Sequence, residues 1–340
     1  MKNKTARLAC IGGLVLATVC ATGAARADTA LLNVSYDVTR ELYRDIDVAF
    51  VASWKKSSGE SITVRQSHGG SSPQALSVLQ GLQADVVTMN QTSDIDLLVQ
   101  RGGLVDRNWR QAFPYGASPY TTTMVFLVRK GNPKKIRDWD DLAKPGTAVI
   151  LPNPKTSGNG RYSYLAAWGW RLQHGGNDAQ AKILVTQILK NIPVLDTGGR
   201  GATTSFAQRG LGDVLVTFEN EVALIQQEFG PGKFETIYPS SSLLAEPPVA
   251  IVDKYVDAHK TRTQAKAYLD FLYSPAGQEI IAGHHLRPRD PQVMQRHQGD
   301  FPPIKTFTVD QVFGSWDKAQ QTHFADGGTF DQAMMAARKQ

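Results

Sequence analysis

The regular alternation of short apolar strands, polar turns and amphipathic helices is the feature of this sequence that most restricts its fold. An apolar strand at 31–36 precedes a helical pattern over 40–56, and these are followed by a strand at 62–64, a helix over 74–80 and a buried strand at 85–89. The same order continues over most of the chain. Such alternation predicts an α/β fold with mixed, mainly parallel sheets flanked by helices.

Two stretches of the sequence echo each other about 129 residues apart. Residues 69–88 contain a Gly-Gly pair, a helical segment, Gly-Leu and a strand that ends in Thr, and residues 198–217 repeat these features in the same order. Two copies at this distance favour two similar lobes over a repeat array; chance likeness between two generic units is the alternative. The apolar runs 123–128 and 248–252 are the expected connecting strands.

The first 27 residues have the pattern of a secretory signal peptide. Basic residues come first, residues 8–23 are apolar or small, and Ala25-Arg26-Ala27 is an A-x-A cleavage site. A retained membrane anchor is the alternative, but the apolar stretch is short for a bilayer span. We therefore expect cleavage after Ala27 and export of the remaining chain.

Cleavage changes both the charge and the cysteine content. The 37 basic residues fall to 33 against 31 acidic ones, so the net charge falls from +6 to +2. The mixed signs argue against a nucleic-acid partner, which requires a clustered basic face. Cys10 and Cys20 leave with the signal peptide, so no disulfide or cysteine-based metal site is expected.

Four loops rich in Gly, Ser, Thr or Asn each follow a strand and lead into a helix. They are residues 35–39, 67–72, 152–161 and 197–204. Ligands of open α/β sheets bind at the carboxyl ends of strands, and helix N-termini there present unpaired N–H groups. If the four loops converge, they form a site rich in donors, which suits a fully ionised oxyanion. Taken singly, each loop is better explained as a capped helix start.

Catalytic interpretations have weaker support. Residues 152–161 lack the G-x-x-x-x-G-K-[ST] order of a phosphate-binding loop, and the seven histidines show no H-x-x-x-H spacing. No G-x-S-x-G motif is present. A secreted serine hydrolase that uses Ser67 or Ser157 stays as the alternative from a different functional class.

Several segments together resemble the sulfate/thiosulfate-binding family of periplasmic solute-binding proteins. They are LLNVSYD (31–37), QSHGGS (66–71), FLVRKGNP (126–133), YLAAWG (164–169), RGAT (200–203) and YSP (273–275). The resemblance runs from about residue 30 to the C-terminus. It implies a type II periplasmic binding protein that closes two lobes around the anion and delivers it to the permease subunits of an inner-membrane ABC importer, acting as a monomer without enzymatic activity. It also implies hydrogen bonds as the only contacts to the anion, with no metal or cofactor.

We expect the chain to divide into two lobes. Residues 28–124 form the first segment of lobe one, residues 125–245 form lobe two, and residues 246–340 form the second segment of lobe one together with the C-terminal helices. Carried over by resemblance, the ligand-binding residues are Asp37 through its N–H, Ser71, Ser157, Gly158, Asn159 and, through its backbone, Gly199. Asn90 and Gln91, at the end of a strand, are further candidate donors. Arg161 and Arg200 either contact the anion or hold loop carboxylates from behind, and we favour the second role.

Phe218 is the main departure from the sulfate-specific branch, which has a tryptophan there whose indole N–H binds the anion. Phenylalanine donates nothing, so one hydrogen bond worth about 1.5–3 kcal/mol is missing. The segments around Asn90, Ser157 and Gly199 read more like the thiosulfate-binding branch, and an apolar ring suits the sulfur atom of thiosulfate. We therefore expect binding of sulfate, thiosulfate or both. Molybdate and phosphate are the alternative oxyanions, although the proton of phosphate requires an acceptor that a donor-only site lacks.

Overall fold

The computed structural model describes residues 29–230 and 232–338, so the expected signal peptide and Cys10 and Cys20 lie outside the described residues. The strands are β1 (Thr29–Tyr36), β2 (Ile62–Gly69), β3 (Val86–Thr88), β4 (Tyr120–Arg129), β5 (Val149–Pro152), β6 (Leu195–Asp196), β7 (Val214–Phe218), β8 (Phe234–Ile237), β9 (Ser242–Ala245), β10 (Val249–Ile251), β11 (Arg287–Pro288) and β12 (Thr306–Phe307). The helices are α1 (Arg40–Ser58), α2 (Ser71–Leu79), α3 (Thr92–Leu97), α4 (Pro114–Ala117), α5 (Gly158–Gln173), α6 (Asp178–Lys190), α7 (Gly199–Thr203), α8 (Glu219–Phe229), α9 (Asp253–His259), α10 (Arg262–Phe271), α11 (Pro275–Gly283), α12 (Pro291–Arg296), α13 (Val309–Phe313), α14 (Trp316–Ala319) and α15 (Thr329–Arg338).

These strands form two mixed sheets, and the predicted α/β class is confirmed. The first sheet has the order β10-β3-β1-β2. Strand β1 is parallel to both β2 and β3, whereas β10 is antiparallel to β3. The second sheet contains the order β4-β7-β5-β6. Strand β5 is parallel to both β6 and β7, whereas β4 is antiparallel to β7. The two echoing stretches of the sequence therefore occupy equivalent places. Each begins at or just after one neighbour of a central parallel strand, β2 beside β1 or β6 beside β5, and ends with the other neighbour, β3 or β7.

The second sheet is the larger one because β4 extends it. Strands β8, β9 and β11 also pair with β4, and β12 pairs with β9. Nine of the ten residues of β4 are buried, as expected for a central strand covered on both faces. The expected lobe boundary at 124/125 falls inside this strand, and the boundary at 245/246 falls at the end of β9.

Each sheet has its own hydrophobic core. The core of the first sheet includes residues of α1, α2, α10 and α11, such as Tyr43 and Leu269. The core of the second sheet includes residues of α5 and α6 and also of the C-terminal segment, such as Trp316 and Phe330. The chain from β12 to α15 therefore packs with the second sheet. Among the described residues, no helix combines the length and the hydropathy that a bilayer span requires.

Helix α2 begins at Ser71, three residues earlier than the sequence pattern predicted. In the sequence pattern, Pro73 separates the loop at 67–72 from the helix expected over 74–80. Proline is tolerated in the first turn of a helix, where its missing N–H would have no partner inside the helix anyway. The earlier start places the main chain of Ser71 at the helix N-terminus.

The chain crosses between the sheets just before β4, again between β9 and β10, and a third time between α11 and β12. Arg289, on the third crossing, binds the first two. Its guanidinium donates to the carbonyl oxygen of Ser118 at 3.2 Å and to a carboxylate oxygen of Glu246 at 2.7 Å. The same group lies 5.0 Å from the centre of the Tyr115 ring. Tyr115 and Ala117 adopt left-handed backbone with φ of 57° and 62°, a conformation that costs about 1–3 kcal/mol for each non-glycine residue.

Candidate functional site

The four donor-rich loops meet where the strands of the two sheets end. An ideal Cβ built on Gly158 would lie 2.1 Å from Oδ1 of Asn90, and one built on Gly199 would lie 3.4 Å from Cγ1 of Val38. A Cβ on Gly70 would lie 3.4 Å from the carbonyl oxygen of Thr156. The first and second loops and the end of β3 thus face the third and fourth loops directly, and glycine permits this close approach.

We call the place where residues 35–39, 67–72, 152–161 and 197–204 meet the junction, and it is enclosed. Exposure of Ser71, Asn90, Ser157, Asn159 and Phe218 is between 1% and 5%. Asp37, by contrast, is half-buried at the end of β1, where it begins a short 3-10 turn. The structure therefore brings the residues expected from the sequence together in a buried space between the two sheets.

Helix α5 supplies donors from both its backbone and its cap. The N–H groups of Gly158 and Asn159 lie in the first turn, where no acceptor exists within the helix. Ser157 is the N-cap, and its Oγ accepts from the N–H of Gly160 at 3.4 Å. Because this bond uses an oxygen lone pair, the hydroxyl proton of Ser157 is available to a ligand.

Ser71 has its hydroxyl group committed inside the protein. Its Oγ donates to Oδ2 of Asp94 at 2.5 Å and accepts from the N–H of Asn90 at 2.9 Å. The donor that Ser71 offers to a ligand is therefore its backbone N–H, which lies in the first turn of α2.

Asp94 organises the first lobe's half of the junction and was missed by the sequence analysis. Its carboxylate also accepts from Oγ of Ser72 at 2.7 Å and from Nε2 of Gln91 at 3.3 Å. Burial raises the pKa of this carboxyl, while nearby Arg161 opposes the shift. The available signal was an acidic residue in the first turn of the helix that follows Asn90 and Gln91.

Arg161 spans the junction from α5. Its guanidinium donates to Oγ of Ser72 at 2.9 Å and to the carbonyl oxygen of Pro154 at 3.0 Å. Burial lowers the pKa of Arg161, and the charge of Asp94 partly offsets this effect. Its hydrogen bonds are thus directed to protein acceptors, in keeping with a supporting role.

Arg200 spans the opposite part of the junction, from α7 to α1. It donates to both carboxylate oxygens of Glu41 at 2.8 and 3.0 Å and lies 3.7 Å from the carboxylate of Asp37. Burial alone would raise the pKa of Glu41, but a backbone hydrogen bond and the Arg200 guanidinium outweigh it and lower the pKa. Arg200 therefore pairs with carboxylates of α1 and of the first loop.

Phe218 ends β7 and forms part of an aromatic wall. Its ring centre lies 5.5 Å from that of Tyr162, and the ring of Tyr162 lies 4.9 Å from that of Trp316. The hydroxyl of Tyr162 donates to the carbonyl oxygen of Asn90 at 3.0 Å. In the sequence, Tyr162 has the helical spacing of a core residue, and this spacing gives no sign of the contact across the junction.

The serines of the hydrolase alternative lack a catalytic partner among the described residues. Oγ of Ser67 accepts from Nε2 of Gln74 at 3.0 Å, and neither Ser67 nor Ser157 bonds to a histidine. Burial is the main cause that lowers the pKa of neighbouring His68, whose Nδ1 has no hydrogen-bond partner in the described structure. Neither serine of this alternative is therefore in contact with a general base.

Comparison with known proteins places this geometry in context. Residues 36–287 match the family described as bacterial extracellular solute-binding protein. The chain is 54% identical over 319 residues to the thiosulfate-binding protein of Pseudomonas aeruginosa, covering 94% of this chain and 96% of that protein. It is 53% identical over 313 residues to the sulfate-binding protein of Escherichia coli, covering 92% and 95%. The solved structure of the sulfate-binding protein SubI from Mycobacterium tuberculosis is 31% identical, with a TM-score of 0.78, and the match covers 87% of this chain and 99% of that chain.

Proposed function

The chain belongs to the bacterial extracellular solute-binding proteins and has the two-lobed α/β fold of their type II members, and on this premise we propose that it captures sulfate and thiosulfate for an ABC importer. One observation carries the proposal. Helix N-termini of both lobes, with first-turn N–H groups that have no acceptor within the helix, meet at one junction, while the two arginines beside it are bonded to protein oxygens. A junction of this kind suits a fully ionised oxyanion that is held by hydrogen bonds.

The proposed contacts divide between the lobes. Asp37 and Ser71 donate backbone N–H groups from the first lobe. Gly158, Asn159 and Gly199 donate N–H groups from the second lobe, and Ser157 adds its hydroxyl. Asn90, Gln91 and Phe218 complete the wall. Because the anion contacts both lobes only when they are together, binding favours the closed form, and the closed form is what a transporter can recognise.

The remaining parts of the proposal concern the protein's place in the cell. We infer export through a signal peptide cleaved after Ala27, residence in the periplasm, and delivery as a monomer to permease subunits in the inner membrane. The relatives compared above are binding proteins, and the junction lacks a nucleophile–base pair, so we propose that the chain is not an enzyme.

Calorimetric titration of mature protein, stripped of bound anion by unfolding and refolding, tests the proposal. We expect one-to-one binding of sulfate and of thiosulfate, with phosphate failing to compete at similar concentration because its proton must be accepted by the site. Molybdate serves as a second comparison. If neither sulfur anion binds while molybdate or phosphate does, the proposed ligand class is wrong.

Replacing Phe218 by tryptophan tests the choice between the two sulfur anions. An indole N–H adds a donor to a charged ligand, so we expect sulfate affinity to rise about tenfold and thiosulfate affinity to fall, since the ring no longer offers a purely apolar wall. Calorimetry on both anions measures the ratio of the two dissociation constants. Phe218→Leu is the matched control, because it keeps an apolar side chain without a donor and should not improve sulfate binding. Parallel changes for both anions would contradict the assignment.

A further inference from the structure

Asn159 places a side-chain amide inside the junction. It is the second residue of α5 and is 4% exposed. Its Nδ2 lies 3.0 Å from Oγ1 of Thr217, the residue before Phe218, and 3.3 Å from the position that a Cβ on Gly199 would take. The amide nitrogen therefore lies among the third loop, the fourth loop and the end of β7, whose residues form the second lobe's half of the proposed site.

The orientation of this amide is set by its neighbours. Oγ of Ser163 donates to the main-chain oxygen of Asn159 at 2.9 Å and lies 3.4 Å from its Oδ1. The oxygen of the amide thus faces the body of α5, and the nitrogen faces Thr217 and Gly199. This arrangement directs the two N–H bonds of the amide toward the junction.

One N–H group of the Asn159 side chain makes no hydrogen bond within the described part of the chain. A side-chain amide nitrogen has two N–H groups, and Thr217 accepts from only one of them. Within the described part of the chain, Nδ2 makes no second hydrogen bond. A buried donor without an acceptor is costly, and an oxyanion in the junction would remove that cost.

We propose that the second N–H of the Asn159 side chain donates to the bound anion and supplies the side-chain donor that Phe218 lacks. The inference rests on the proposed function and adds a side-chain contact to the backbone contact already assigned to this residue. The glycine at position 199 leaves room for this amide, because a methyl group there would lie 3.3 Å from Nδ2 and press against the amide.

The test compares Asn159→Asp, Asn159→Ala and the unchanged protein by calorimetry with sulfate and with thiosulfate. Aspartate has the same shape but replaces the donor with a negative acceptor, so we expect binding of both anions to weaken at least about 100-fold at neutral pH. Alanine removes the donor without adding charge, so we expect a loss of about tenfold. Thermal unfolding of each anion-free variant establishes that the protein is folded.

The pH profile of Asn159→Asp separates ligand contact from a structural role. A protonated carboxyl can donate, so lowering the pH from about 8 to about 5 should recover part of the lost sulfate binding in this variant, while the unchanged protein should show no comparable gain. A loss of affinity that does not depend on pH, or no loss at all, overturns the inference and leaves the proposed function standing. Failure of the unchanged protein to bind either anion overturns the proposed function itself.

Discussion

Replacing Gly158 by alanine is expected to weaken binding of sulfate and thiosulfate by at least about 100-fold while the protein stays folded. A Cβ at this position would lie 2.1 Å from Oδ1 and 2.6 Å from Cγ of Asn90, distances that non-bonded atoms do not reach. Asn90 is 3% exposed and has its main chain bonded on both sides, so it has little room to move. Because the two residues belong to different lobes, the clash opposes closure rather than folding. Calorimetry on both anions measures the loss.

A second substitution identifies the cause of that loss. The three atoms nearest to the added methyl group all belong to the Asn90 side chain beyond its Cβ, so Asn90→Ala in the Gly158→Ala background removes these contacts. We expect the double variant to bind more tightly than Gly158→Ala alone. Gly198→Ala is the matched control, since nothing lies within 4 Å of a Cβ there and its φ is −161°. Equal losses from Gly158→Ala with and without Asn90→Ala would show that the methyl group acts through something other than this contact.

The second large effect is a fall in the free energy of unfolding as the pH rises, caused by Glu221. This buried residue of α8 lines a cavity of about 470 Å³ beside Arg200 and Glu41. Burial raises the pKa of Glu221 to about 8, Arg200 opposes the shift, and the charges of Glu41 and Asp37 add to it. The folded protein therefore keeps this proton up to about pH 8, whereas the unfolded chain releases it near its ordinary pKa.

The sign of the effect follows from proton binding. Between the unfolded pKa and about pH 8 the folded state holds more protons than the unfolded state, so stability falls as the pH rises. A shift of this size corresponds to about 3–5 kcal/mol once the window has been crossed. Urea unfolding of Glu221→Gln should show a matching gain in stability at pH 8 relative to the unchanged protein, and little difference in acid.

Asp47 provides the control for this experiment. Burial raises its pKa to about 6, with Tyr268 and Gln66 opposing the shift. Asp47→Asn should therefore alter the pH dependence only below about pH 6, a narrower window than that of Glu221. A stability curve of Glu221→Gln that runs parallel to that of the unchanged protein from pH 5 to about pH 8 would refute the role given to Glu221.

Much of the fold could be predicted because its signals are local. The helix expected at 40–56 is observed as Arg40–Ser58, where Gly59 adopts a left-handed conformation, with φ of 76°, that ends it. The echo between 69–88 and 198–217 also has a local origin, since each copy contains its own turn, helix and strand signals. The position of β12 and the C-terminal helices on the second sheet has no such signal, because it depends on packing between residues far apart in the sequence.

The candidate site, too, could be predicted where its signals are local and not where they depend on contacts between distant residues. Loops with capping residues and glycines can be recognised one at a time, and the structure brings these loops together. Asp94 and Tyr162 were missed because their roles depend on contacts with Ser71 and Asn90, which lie 23 and 72 residues away. The commitment of the Ser71 hydroxyl and the spare N–H of Asn159 likewise become visible only when every partner is in place.

The hydrogen bonds from Arg289 to Ser118 and Glu246 affect how the two lobes move relative to each other. One guanidinium ties Ser118 to Glu246, and Arg289 itself lies on the third crossing, so the three crossings are expected to bend as a unit and the lobes to rotate about a common axis. Motion of that kind has one degree of freedom, and a single distance between the lobes then describes it completely. Because the sequence has no cysteine after Cys20, two introduced cysteines would be the sole attachment points on a protein prepared from residue 28 onward, and one pair of dyes would follow the full cycle of capture and release.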